Sequence, residues 1–136
     1  MSAIIINKRV RYEYNILESY QAGLVLTGAL VKAIREKRVV ISSGYVTYTR
    51  KHLSLIGIKI KDVDYTIPLL VQSKEKEEII EALRTKGLSC VPINIKRVGR
   101  WYKSEIAIVK GKKLYDKRET IKNRDLDREQ QRQLKG

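Results

Sequence analysis

The chain has 136 residues, which fits one domain with an appendage, and its 43% apolar content can fill one modest core. Twenty-nine Lys and Arg against fifteen Asp and Glu give a net charge of +14, a self-repelling surplus that points to a polyanionic partner. No apolar run approaches the roughly 20 residues that span a bilayer, and no long basic amphipathic helix is present, so a membrane partner is excluded.

In chain order, the opening residues 1–6 are too short for a signal h-region. Residues 7–11 read as a short basic arm. Residues 12–17 alternate well enough for a strand, and residues 23–26 suggest a second, more buried one. Thr27-Gly28 gives a helix start; beyond it Leu30, Val31 and Ile34 share one face while Lys32 and Arg35 point away. Residues 39–41, 45–48 and 53–60 read as strands, with Ser42-Ser43-Gly44 and Arg50-Lys51-His52 as turns. Residues 62–64 read as a loop before another strand at 67–71. Ser73 is the expected cap of a helix with Glu75 in its first turn, Ile79, Ile80 and Leu83 on its buried face, and Gly87 as its stop. Residues 91–98 and 101–109 form a hairpin around Val98-Gly99-Arg100. Many short strands with two short helices make a mainly β fold and suggest a small closed or partly open barrel.

Composition shifts after Val109. Residues 110–136 carry ten Lys or Arg and five acids, a net of +5, with few large aliphatics. Helix propensity is high there, and Asp116 with Glu119 resembles a capping pair. A helix so polar all round has too little apolar face to dock, so the tail is expected to order only against a partner.

Catalytic chemistry finds little support. His52 is the only histidine and Cys90 the only cysteine, so neither a His-based metal cluster nor an internal disulfide can be built. A lone cysteine suits a reducing compartment, and Cys90 in an apolar strand reads as a core residue. Basic side chains interleaved with aromatics are the stronger signal. Tyr12, Tyr14, Tyr45, Tyr48, Trp101, Tyr102 and Tyr115 can stack on unpaired bases, and Lys32, Arg35, Lys96, Arg97 and Arg100 can neutralise phosphates.

The run Gly111-Lys112-Lys113-Leu114-Tyr115-Asp116-Lys117-Arg118-Glu119-Thr120-Ile121-Lys122 resembles the Gly-Lys-Lys-x-x-Asp-Lys-Arg-x-x-Ile-Lys signature of the SsrA-binding protein (SmpB) family. Asn7-Lys8-Arg9-Val10-Arg11-Tyr12-Glu13-Tyr14 and Ala22-Gly23-Leu24-Val25-Leu26-Thr27-Gly28 are similar to further family segments, as are Val31-Lys32-Ala33-Ile34-Arg35 and Val91-Pro92. The chain departs from the pattern at Tyr12, where the family has His, at Gln21, where it has an acid, and at Leu30, where it has Glu.

The resemblance implies an OB-like β-barrel over residues 1–110 and a basic C-terminal tail over 111–136, disordered or helical when alone and helical when bound. It implies a monomeric, cytoplasmic, non-enzymatic protein without metal or cofactor. Such a protein binds the tRNA-like domain of transfer-messenger RNA and delivers it to stalled ribosomes for trans-translation. By that likeness Asn7, Lys8, Arg9, Arg11, Tyr12, Lys32, Arg35, Asn94 and Lys96 contact the RNA. The tail, through Gly111, Lys112, Lys113, Asp116, Lys117, Arg118, Lys122, Arg124, Arg128 and Arg132, occupies the empty mRNA channel and decoding site against rRNA. Two other classes stay open on the residues alone: a general single-strand-binding or ribosomal OB protein, and an RNA-processing hydrolase using Asp62, Asp64 or the cluster Glu75, Glu77 and Glu78.

Overall fold

A computed structural model describes residues 3–111, and its elements follow directly from the apolar spacing. They are β1 (Ala3–Ile6), α1 (Val10–Glu13), β2 (Tyr14–Leu24), α2 (Gly28–Arg35), β3 (Tyr45–Thr49), β4 (His52–Ile60), β5 (Val63–Leu70), α3 (Ser73–Arg84), β6 (Leu88–Val98) and β7 (Trp101–Gly111). The strands form one antiparallel sheet in the order β1-β6-β7-β2-β5-β4-β3. The sheet curls until β3 packs near β6, and α3 lies against both. Curling closes the apolar face on itself, which gives the expected partly open barrel a single interior core.

That core is aliphatic. Ile34, Leu55, Ile58, Ile67, Ile79, Ile95 and Ile106 are fully buried. In β4 the buried positions run Leu53, Leu55, Ile58 and Ile60, so strict alternation slips by one residue at Ile56-Gly57. The β4–β5 register shifts at the same place, between Leu55 and Ile58. Gly57 sits there at φ 72, the left-handed backbone of a bulge. A Cβ at Gly57 would lie 2.6 Å from the carbonyl oxygen of Ser43, whose own Oγ donates to the Gly57 carbonyl at 2.9 Å. Gly57→Ala is therefore expected to destabilise the fold by about 2–4 kcal/mol, from left-handed strain plus overpacking. Urea denaturation checks this; an unchanged midpoint would refute the packing argument.

Three hairpins turn through two residues each, and in two of them both central residues are left-handed. Arg50 and Lys51 (φ 53 and 67) join Thr49 to His52, and Lys61 and Asp62 (φ 51 and 65) join Ile60 to Val63. Left-handed φ at both central positions matches the right-handed strand twist. The second turn corrects the expected loop at 62–64: Val63 and Asp64 already belong to β5.

Other expectations change as well. The basic arm is not extended; residues 10–13 form α1, a third helix, because Val10 (2% exposed) plugs a small outer cluster with Val91, Ala107 and Val109. Tyr12 is thus helical, and the two strands expected at 12–17 and 23–26 are one continuous strand, β2. Residues 39–41 form only a single bridge, Val40 to Lys59. Gln72, not Ser73, caps α3, and it does so without a side-chain hydrogen bond. Thr27 caps α2 as expected, its side chain accepting from the Leu30 amide at 3.3 Å. Leu30 itself is 3% exposed, so an apolar residue here extends the core.

Candidate nucleic-acid interface

Strand β2 sets the geometry of the surface. Its eleven residues span roughly 33 Å at the usual strand rise. Ala3 pairs with Lys96, Ile6 pairs with Asn94 and the Asn7 backbone amide donates to the Ile93 carbonyl, so residues 7–9 adjoin Asn94 and Lys96 and α1 leads from there to the Tyr14 end of β2.

Before and on α1, Lys8, Arg9 and Arg11 are exposed, as is Tyr12 at 38%. Tyr14, which follows α1, pairs with Gly111, the last residue of β7. Beside α1 lies a cavity of about 220 Å³ lined by Asn7, Val10, Glu13, Tyr14, Ser43 and Tyr45, among others. Asn7, expected to be a contact residue, is instead 6% exposed. Its amide donates to the Pro92 carbonyl at 3.0 Å and its Oδ1 accepts from the Arg9 amide at 3.2 Å. It fixes the start of α1 and aims the arginines; its own polar atoms are already partnered.

At the α2 end, Lys32 and Arg35 are exposed on the helix and Lys96 is half-buried on β6. Lys96 stands opposite Lys103, and Arg97 opposite Tyr102, in the β6–β7 ladder. Like charges facing each other across a ladder are destabilising, an arrangement that an anion relieves. Asn94 is partly withdrawn: its amide donates to Glu105 Oε2 at 3.2 Å and its Oδ1 accepts from the Glu105 amide at 3.1 Å. It holds a bulge in β6, where the register slips between Pro92 and Asn94.

The tip of the β6–β7 hairpin adds residues that the expected contact set lacked. Gly99 at φ 61 turns the chain, Arg97 Nε donates to its carbonyl at 2.9 Å, and Trp101 stands 71% exposed. Arg97, Arg100 and Trp101 carried the right chemistry in the sequence, but only the fold shows that they share an end with Lys32 and Arg35. No local sequence signal separates them from the chain's other basic and aromatic residues. The tail residues Lys112, Lys113, Asp116, Lys117, Arg118, Lys122, Arg124, Arg128 and Arg132 lie outside the described residues.

The carboxylates do not converge. Asp62 is in the β4–β5 turn, while Glu75, Glu77 and Glu78 are on α3 beyond the far end of β5, roughly 25 Å along an eight-residue strand. Glu78 accepts a 2.7 Å hydrogen bond from Tyr20, whose hydroxyl is pushed well above its ordinary pKa, first by burial and then by that carboxylate. Among the described residues, no three His, Cys, Asp or Glu side chains are grouped to hold a metal ion. Burial pushes the Cys90 thiol up to about 12, which keeps it protonated and unreactive at neutral pH. No described helix is long and apolar enough to cross a membrane.

The family model described as SmpB protein matches residues 4–136. Curated relatives called SsrA-binding protein include one from Bdellovibrio bacteriovorus, 40% identical over 88% of this chain and 86% of its own. One from Ehrlichia canis is 38% identical, covering 100% of this chain and 99% of its own. One from Mesoplasma florum is 35% identical, covering 97% and 96%. A solved chain described as "tmRNA-SmpB: a journey to the center of the bacterial ribosome" superposes with a TM-score of 0.66 at 28% identity, covering 82% of this chain and 87% of that one.

Proposed function

The chain belongs to the SmpB family, and from that premise we propose that its folded body and its C-terminal segment hold two different RNAs. It binds the tRNA-like domain of transfer-messenger RNA and delivers that RNA to stalled ribosomes for trans-translation. The observation that carries the division of labour is that Gly111, where the C-terminal segment begins, pairs with Tyr14 at one end of β2, whereas α2 follows the other end.

In this reading Lys8, Arg9, Arg11 and Tyr12, with Lys32, Arg35 and Lys96, grip the tRNA-like domain through backbone phosphates and unpaired bases, the mode by which folded RNA is recognised. Gly111, where the chain leaves the barrel, lies at the Tyr14 end of β2 and borders the ribosome. The segment 111–136 forms a second unit that occupies the empty mRNA channel and decoding site. There its lysines and arginines meet rRNA phosphates that supply the missing counter-charge. The protein acts in the cytoplasm as a monomer and does its work by binding, with no chemistry or cofactor of its own.

Competition separates this function from that of a general RNA-binding barrel. A labelled tRNA-like domain bound to the protein is challenged with bulk tRNA and with random transcripts of equal length. The tRNA-like domain is expected to resist displacement by both. Equal competition by random transcripts would overturn the proposal.

A further inference from the structure

The α2 end contains a groove of about 520 Å³ whose composition is unusual for a protein surface. Its floor is apolar, with Leu24 and Tyr102 buried. Its rim holds the exposed Trp101 (71%) and Leu70 (62%) together with Arg35, Arg97 and Arg100, and among the described residues no acidic side chain lines it. A large exposed aromatic and aliphatic surface costs hydration, and three guanidinium groups around one cleft repel each other. Both costs fall if the occupant has a flat apolar face and negative charge on either side.

We propose that this groove seats one unstacked base of the bound RNA, with Trp101 as the platform and Arg35, Arg97 and Arg100 on the flanking phosphates. The proposal rests on the RNA-binding reading above and names the subsite that reading leaves open. Indole offers a broad π-face to any base, and arginine suits phosphate through its fork of donors. The volume fits a single nucleotide, within the usual range of small-ligand clefts. The hairpin tip is braced by the Arg97 Nε bond to the Gly99 carbonyl, so the platform adjoins a fixed turn. An acidic peptide with one apolar anchor is the competing occupant. It lacks the flat ring that the Trp101 face offers to cover, so a nucleotide is favoured.

Trp101 is the only tryptophan in the chain, so its fluorescence reports this groove alone. Titrating the full-length protein with a transcript of the tRNA-like domain should quench that emission with saturation at one RNA per protein. Trp101→Ala should weaken binding by roughly 5- to 150-fold, the range for losing one base–aromatic stack. Trp101→Phe should restore most of it, because a ring remains. Trp101 is mostly exposed, so circular dichroism of both variants should match the parent. Arg100→Gln should lower the slope of log affinity against log salt by about one. If the transcript binds by gel shift but emission stays unchanged and Trp101→Ala binds as the parent does, the base clamp is wrong while the RNA-binding function stands. If no transcript binds, both fail together. Stronger quenching by a polyglutamate peptide carrying one Leu than by RNA would assign the groove to a peptide and overturn the proposal.

Discussion

Removal of residues 112–136 is expected to abolish ribosome rescue while leaving affinity for the isolated tRNA-like domain nearly intact. The reason is geometric. Lys32, Arg35 and Lys96 of the RNA-gripping set sit at the α2 end, and Gly111 leaves the barrel at the opposite end of β2. Truncation therefore cuts the chain at a root about 33 Å along β2 from the α2 end, several Debye lengths away at physiological salt. In a reconstituted translation system stalled on a message without a stop codon, tag addition should fall to the level seen without the protein. Filter binding of the same truncated chain to the tRNA-like domain should show nearly the parent affinity. Equal loss in both assays would mean that the folded body and the C-terminal segment do not work separately.

The second large effect is on salt. Six cationic side chains gather at the α2 end: Lys32, Arg35, Lys96, Arg97, Arg100 and Lys103. Engagement of roughly 6–10 phosphates should cost about 10³–10⁵ in affinity between 50 and 200 mM salt, through counterion release. Among the described residues one ion pair forms, Arg38 with Glu36 at 2.6 Å, and it lies just past α2, outside this set. Neutralising Lys32 with Gln should weaken every RNA by a similar factor and reduce the salt slope by about one. An affinity that barely changes with salt would place the source of binding elsewhere, in apolar contact or base readout.

The sequence disclosed most of the scaffold because its apolar spacing is regular where the core is deepest. Strands β4 and β7, helix α2 with its Thr27 cap, and the hairpin at Gly99 all carry local signals. The misses have physical causes. Strand β2 was divided because Glu18, Ser19 and Gln21 face solvent in its middle, where no apolar alternation survives. Helix α1 was hidden because four residues cannot show a helical period. Its anchor, Val10, packs with Val91, Ala107 and Val109, eighty or more residues further on. Tertiary contact of that kind leaves no local trace.

The site was legible in chemistry but not in arrangement. Lys32 and Arg35 are exposed and Lys96 is half-buried, while the side chains of Asn7 and Asn94 are engaged with backbone groups and Glu105. Asparagine reads alike in either role, since its amide can serve a carbonyl as readily as an RNA. In the sequence Trp101 is one of seven aromatics able to stack on bases, and nothing local sets it apart. Its partnership with Arg35 depends on β2 delivering α2 to the same end as the β6–β7 turn.

Strand β7 begins at Trp101 and ends at Gly111, and it is flanked along its length by β6 and β2. Its hydrogen bonds run perpendicular to the strand axis. Tension applied at the tail's root and resisted at the hairpin tip would load both ladders in shear, so that many rungs must yield together. Peeling would break them one at a time and resists far less. The barrel is thus built as a tow-bar, able to keep one cargo hitched while the other end is drawn forward.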